Sequence, residues 1–137
     1  MFTALLAVVA LGAGAPNTLV DCPLTIAVEQ KASALPSGWT AADEGLPHRL
    51  ASVTFFDGPP KELASLVYDD TASAGKKWTG IWHFEPNPRG FWIACGYSGT
   101  SVVLSRRLPA EVKVCQVTYE KGEGEGPVGD IHKIDCR

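Results

Sequence analysis

Beyond residue 20 the chain runs in short stretches of alternating apolar and polar residues, punctuated by proline and glycine. Leu24, Ile26 and Val28 alternate with Thr25, Ala27 and Glu29, and that period of two marks a half-buried strand. Residues 31–47 read as a loop containing Pro36, Ser37, Gly38, Gly45 and Pro47, with Trp39 as its buried anchor. Arg49 to Phe56 is a second strand, stopped by Asp57-Gly58-Pro59-Pro60. Residues 60–67 predict the one helix. Pro60 opens it, Glu62 lies in its first turn, and Leu63, Leu66 and Val67 share a face. Tyr68, Asp69, Asp70 and the Ser/Gly/Lys stretch after them then form an exposed loop.

Trp78 to Phe84 and Phe91 to Tyr97 flank Glu85-Pro86-Asn87-Pro88-Arg89-Gly90, a strong turn signal, and so predict a hairpin. Pairing Phe84 with Phe91 sets Trp82 opposite Ile93 and Trp78 opposite Tyr97 on one aromatic, apolar face. Thr79, Ile81, His83, Trp92 and Ala94 take the other face, where Trp92 is either exposed or covered by the helix. Ser98-Gly99 turns the chain into Thr100 to Leu108, and Pro109-Ala110 turns it into Val112 to Tyr119. An acidic, glycine-rich stretch from Glu120 to Gly129 precedes a last strand, Ile131 to Cys136. The predicted class is therefore mainly β: an antiparallel meander or sandwich-like sheet of six to seven strands, with one short helix near residues 60–67.

Four scattered cysteines, none in a Cys-x-x-Cys pair, read as two disulfides rather than a zinc or redox site. In the meander, Cys95 and Cys115 lie two strands apart, about 10 Å by strand spacing. A disulfide needs Cα atoms at roughly 4.4–6.8 Å. Cys115 and Cys136 face each other across a hairpin, so the expected bonds are Cys115–Cys136 and Cys22–Cys95.

The N-terminus places these bonds in an oxidising compartment. Ala4 to Ala10 is a short apolar run that passes into Leu11-Gly12-Ala13-Gly14-Ala15, the pattern of a signal peptide over residues 1–15. A spanning helix needs about 20 apolar residues, and this run ends sooner. Asp21 precedes Cys22 where a lipoprotein signal needs a small residue, so no membrane anchor is expected after cleavage. Residues 16–137 are then one domain, periplasmic or secreted. With 45% hydrophobic and 20% charged residues the chain has the balance of a globular protein. Its formal charge of -3, with Lys76-Lys77 and Arg106-Arg107 as the only basic pairs, argues against nucleic acid as a partner.

No catalytic constellation emerges. His48, His83 and His132 are far apart and lack metal-ligand spacing, so no metal or other cofactor is expected. Asp69-Asp70 reads as a solvated turn, and the glutamates between Gly122, Gly124 and Gly126 would repel a phosphate. Loops on a rigid sheet remain as candidate partner-binding elements. They are Asp57 to Pro60, with Asp57, Gly58 and Pro59; Glu85 to Gly90, with Glu85, Asn87 and Arg89; and Glu120 to Gly129, with Glu123 and Glu125. Trp92 joins them if exposed.

The chain also carries Cys22-Pro23, the block Phe55-Phe56-Asp57-Gly58-Pro59-Pro60-Lys61-Glu62-Leu63-Ala64-Ser65-Leu66, and Cys95-Gly96-Tyr97-Ser98-Gly99-Thr100-Ser101. Leu108-Pro109, Cys115-Gln116-Val117-Thr118-Tyr119 and Ile134-Asp135-Cys136 follow. Together these resemble a family of small exported proteins of Gram-negative bacteria named after a locus tag in an enteric type VI secretion region. The resemblance implies a periplasmic immunity protein that binds a toxin attacking the cell envelope, and it carries over no catalytic position. The expected function is a non-enzymatic immunity or inhibitor protein against such a toxin or a cell-wall enzyme. A glycan- or peptidoglycan-binding module using Trp92 and Trp39, and an envelope hydrolase using His83 or Asp69, are the alternatives.

Overall fold

The structure is a computed structural model that describes residues 18–121 and 129–137. The expected signal segment and the candidates Glu123 and Glu125 lie outside the described residues. The period-two runs form strands in two antiparallel sheets. One sheet contains β1 (Thr25–Ile26), β2 (His48–Asp57), β3 (Ser65–Leu66), β6 (Phe91–Tyr97) and β7 (Val103–Arg107). The other runs β4 (Asp70–Ala74), β5 (Lys77–His83), β8 (Val114–Glu120), β9 (Ile131–Cys136). In the first sheet β2 pairs with β6 along one edge, while β1 and β3 share its other edge, at Arg49 and His48 and at Phe55 and Phe56.

Alternation decides which side chains enter the space between the sheets. Val53 and Phe55 of β2 and Ile93, Cys95 and Tyr97 of β6 are buried from one side. Trp78 and Trp82 of β5, Cys115, Val117 and Tyr119 of β8, and Ile134 and Cys136 of β9 are buried from the other. Phe55 is fully enclosed, with its ring centroid 4.8 Å from Trp82 and 5.6 Å from Phe84. Gly80 lies between the two tryptophans on β5, and a Cβ there would sit 3.0 Å from the Trp82 indole. Glycine thus leaves the room that two large rings on one strand face require. Tyr68 adds an edge-on contact to Trp78 at 5.1 Å.

Four expectations need correction. Trp78–Phe84 and Phe91–Tyr97 do not pair as a hairpin: β5 pairs with β4 and β8, and β6 with β2 and β7, in separate sheets. Their apolar faces still meet, with Phe84 and Phe91 at 4.9 Å, because alternation dictates which face is buried and leaves the hydrogen-bonding partner open. The helix near residues 60–67 shrinks to a 3-10 turn over Pro60–Glu62, ended by Leu63 in a left-handed conformation at φ 59°. Leu63 and Val67 are exposed, so the predicted helical face has nothing to bury against. The chain instead extends along the free edge of β2, where the Asp57 N–H donates to the Ala64 carbonyl at 2.9 Å. Trp39 is 72% exposed and anchors no core. The stretch expected as a loop after Asp70 forms the exposed edge strand β4, whose small and polar residues gave no alternation to read.

The cysteines pair as expected, Cys22 with Cys95 and Cys115 with Cys136. Cys115 and Cys136 are direct register partners on β8 and β9. Cys95 and Cys115 belong to different sheets, so the meander used to separate them is absent although the pairing holds. Cys22 lies on a strap, residues 18–23, that joins the layers. The Leu19 N–H donates to the Cys136 carbonyl at 2.8 Å, and the Cys136 N–H to Thr18 Oγ1 at 3.1 Å. On the other sheet, Cys22 is bonded to Cys95 and the Tyr97 hydroxyl donates to the Pro23 carbonyl at 2.9 Å. Burial pushes the Tyr97 and Tyr119 phenols up.

Phe55→Ala should lower unfolding stability by about 3–5 kcal/mol in urea titrations, through lost apolar burial plus a cavity against Trp82 and Phe84. The bonds close stretches with sequence separations of 73 and 21 residues. By loop-closure entropy they contribute about 4 and about 3 kcal/mol. Removing the pair Cys22 and Cys95 by alanine should therefore cost more than removing Cys115 and Cys136, and matched thermal melts check the order.

Candidate functional site

Two of the three predicted loops come together at one end of the fold. Asp57 to Pro60 follows β2, and Glu85 to Gly90 carries the chain from β5 in one sheet to β6 in the other. The prolines at 86 and 88 remove two backbone donors and suit a crossing segment rather than a strand. The Gly58 N–H donates to the Gly90 carbonyl at 2.8 Å, which stitches the loops together. Asn87 fixes both: its amide donates to Asp57 Oδ1 at 3.1 Å, and its side-chain oxygen accepts from the Gly90 N–H at 2.7 Å. Arg89 reaches over Gly58, donates to the Asp57 carbonyl at 3.4 Å and pairs with Glu62. Gly58 is at φ +83°, and a Cβ there would lie 2.6 Å from the Arg89 guanidinium, so the position accepts only glycine without rearrangement.

The loop pair is tied internally yet faces solvent. Glu85, Arg89 and Glu62 are exposed, whereas Asp57, Pro59 and Asn87 are half-buried. An exposed ion pair such as Arg89–Glu62 contributes at most about 1 kcal/mol to stability, so both charges remain available to a partner. Beside the pair opens a cleft of about 300 Å³. Phe84, Phe91, Leu108 and Val112 form its apolar floor, and Arg107 and Lys113 lie at its rim.

The remaining predicted residues fall elsewhere. Glu120 pairs in register with Lys77 at the start of β5, so the acidic stretch leaves the sheet at the end opposite to Glu85–Gly90. Trp92 is half-buried on the outer face of β6, in register with Phe56 of β2 and Arg107 of β7, and its indole N–H is buried without a partner among the described residues. It is no open stacking platform.

His83 and Asp69 do meet. The Asp69 carboxylate accepts from the His83 backbone N–H at 2.7 Å and lies 2.5 Å from His83 Nδ1. Burial works against the Asp69 charge, but the His83 amide and ring outweigh it and hold the carboxyl below its ordinary range. Both side chains are about half exposed at the edge of the second sheet. His132 lies between Lys77, at 2.7 Å, and Glu120, at 3.4 Å. His48 contacts the Ser98 carbonyl at 2.7 Å. Among the described residues no group of three His, Cys, Asp or Glu side chains could hold a metal ion.

Glu62 joins the loop surface through its pair with Arg89, although the sequence pattern places it in a helix. Its four-residue distance from Gly58 was the signal available, since a tight turn returns such a residue to the loop.

No solved structure matches this chain. An uncharacterized 16.3 kDa protein in the trpG 5' region of Azospirillum brasilense is 30% identical over 108 residues, which cover 74% of this chain and 71% of that protein. The family model for the type VI secretion system Tli immunity protein matches residues 43–137, which include the loop pair and three of the four cysteines. With most of the fold inside that match, the chain belongs to the type VI secretion system Tli immunity protein family.

Proposed function

We propose that this protein neutralises a toxin that attacks the cell envelope, acting in the periplasm by binding the toxin rather than by chemistry of its own. The observation that carries this reading is family membership over the disulfide-closed scaffold. An immunity protein acts on a toxin partner, and two native disulfides fit an oxidising compartment outside the cytoplasm. The toxin contact is assigned to the loop pair. Its backbone is already ordered by Asn87 and by the Gly58–Gly90 bond, so binding there loses little loop entropy. Arg89, Glu85 and Glu62 supply charge at the surface, and the adjoining apolar cleft can take a side chain from the partner.

An envelope hydrolase would draw on His83 and Asp69, whose carboxylate lies within hydrogen-bond reach of the ring. No serine, cysteine or second carboxylate is hydrogen-bonded to the pair among the described residues. In this reading Asp69 orients the end of β5 and performs no proton transfer.

Calorimetric titration of the oxidised domain with its cognate type VI secretion toxin should give nanomolar one-to-one binding, lost on reduction of the disulfides. Absence of binding by the oxidised protein would refute the proposal. Arg89→Ala and Asn87→Ala should each weaken binding about tenfold or more if the loop pair is the contact. His83→Ala and Asp69→Asn should leave toxin neutralisation at the wild-type level, and loss of protection with intact binding would restore the hydrolase reading.

A further inference from the structure

Between β1 and β2 the chain makes its longest excursion, over residues 27–47, and nearly all of it is exposed. The excursion is closed at its neck. The Asp43 carboxylate accepts from the Gln30 N–H at 2.7 Å and from the Gly45 N–H at 2.9 Å, bringing positions 30 and 43 together across 13 residues. Those two amides, with His48 adding to them, hold the Asp43 carboxyl below its ordinary range against a small opposing effect of burial. Ends that meet, a short span and a fold of its own make residues 30–43 an Ω-loop.

The tip is ordered by a turn in which the Trp39 N–H donates to the Pro36 carbonyl at 3.2 Å. Gly38 occupies its third position at φ +84°, the conformation a type II turn demands there. The turn holds Trp39 outward at 72% exposure, with Leu35 at 51% and Leu46 at 63%. Residues 32–42 carry no charged side chain. A tryptophan that contributes nothing to the core, raised on an uncharged loop with a tied neck, has the character of a binding anchor. A glycan would need polar side chains around the ring to bond its hydroxyls. Gly38 and Thr40 flank Trp39, and Ser33, Ser37 and Thr40 are the only hydroxyls over residues 32–42, with no amide or charged side chain among them.

The family match begins at residue 43, the residue whose carboxylate closes the neck.

We propose that the loop over residues 30–43 is a toxin-recognition element, with Trp39 inserting into an apolar, uncharged pocket of the cognate toxin. This rests on the immunity reading, but it is separable from the loop pair. The loop leaves the fold beside His48 at the start of β2, whereas Asp57 and Gly58 follow the end of that ten-residue strand. The two contacts therefore lie roughly 30 Å apart at about 3.4 Å per residue, close to the full width of a standard interface.

The test is titration of the cognate type VI secretion toxin with wild-type protein and Trp39→Ala, each checked for an unchanged melting temperature. Because Trp39 touches no core residue, Trp39→Ala should melt with the wild type and bind at least about tenfold more weakly. A second variant, with residues 34–40 replaced by glycine and serine, should bind as weakly as Trp39→Ala. Wild-type affinity in both variants, with tight binding by the parent, would overturn the loop assignment and leave the immunity reading standing. No binding by the parent would remove both. Toxin binding unchanged by Trp39→Ala together with a tryptophan fluorescence shift on adding muropeptides would reassign the loop to glycan. A dimer in sedimentation that Trp39→Ala dissolves would reassign it to self-association.

Discussion

The packing of Phe55 against Trp82 and Phe84 is the constraint on which the rest of the molecule depends. It is the point where β2, the central strand of one sheet, meets β5, a central strand of the other, and Gly80 makes it possible by leaving the indoles their volume. Hydrogen bonds build each sheet, and this shared apolar space, together with the strap over residues 18–23 that is tied to both layers, sets one sheet upon the other. The Glu85–Gly90 crossing follows directly: once Phe84 and Phe91 face each other from opposite layers, the six residues between them must bridge the sheets. The loop surface assigned to the toxin is thus a by-product of core packing, fixed from beneath by aromatic rings and from the side by Asn87.

The sequence was most informative where burial on one face produced a clear alternation. Phe91–Tyr97 and Ile131–Cys136 were readable to the residue, and β2, β5 and β8 to within two residues of their starts and ends. Cys115–Cys136 was readable because both cysteines face each other on paired strands, whereas Cys22–Cys95 followed by elimination from a meander that the structure does not contain. Pairing partners were hidden: Trp78, Trp82 and Phe84 present the same apolar stripe whether a partner strand lies beside them or across the core. Elements held by backbone bonds alone were equally hidden. Asp70–Ala74 is exposed, and Ser65–Leu66 is too short to show a period although Leu66 packs against the core; the second was also masked by a leucine spacing that imitates a helix.

At the candidate site the turn residues marked the two loops, since Gly58, Gly90 and the neighbouring prolines have local conformational reasons to be there. What joins them is not local. Asn87 and Asp57 are 30 positions apart, and nothing in either run indicates the other. Trp39 reverses the usual inference for its residue type, because a large aromatic among proline and glycine was expected to seek the core. Its neck is closed by backbone amides on Asp43, so the loop needs no buried side chain to hold its shape.

The strap over residues 18–23 bears on timing. Thr18 and Cys136 are bonded across 118 positions, so the layers cannot be locked until the first and last parts of the domain have found each other. Contacts so distant along the chain are slow to form, and the disulfide to Cys95 adds an oxidation step. A protein built this way is ill suited to production on demand. Protection against an incoming toxin then depends on the stock of molecules already folded and oxidised when the attack begins, and the pressure falls on steady expression and long lifetime rather than on rapid induction.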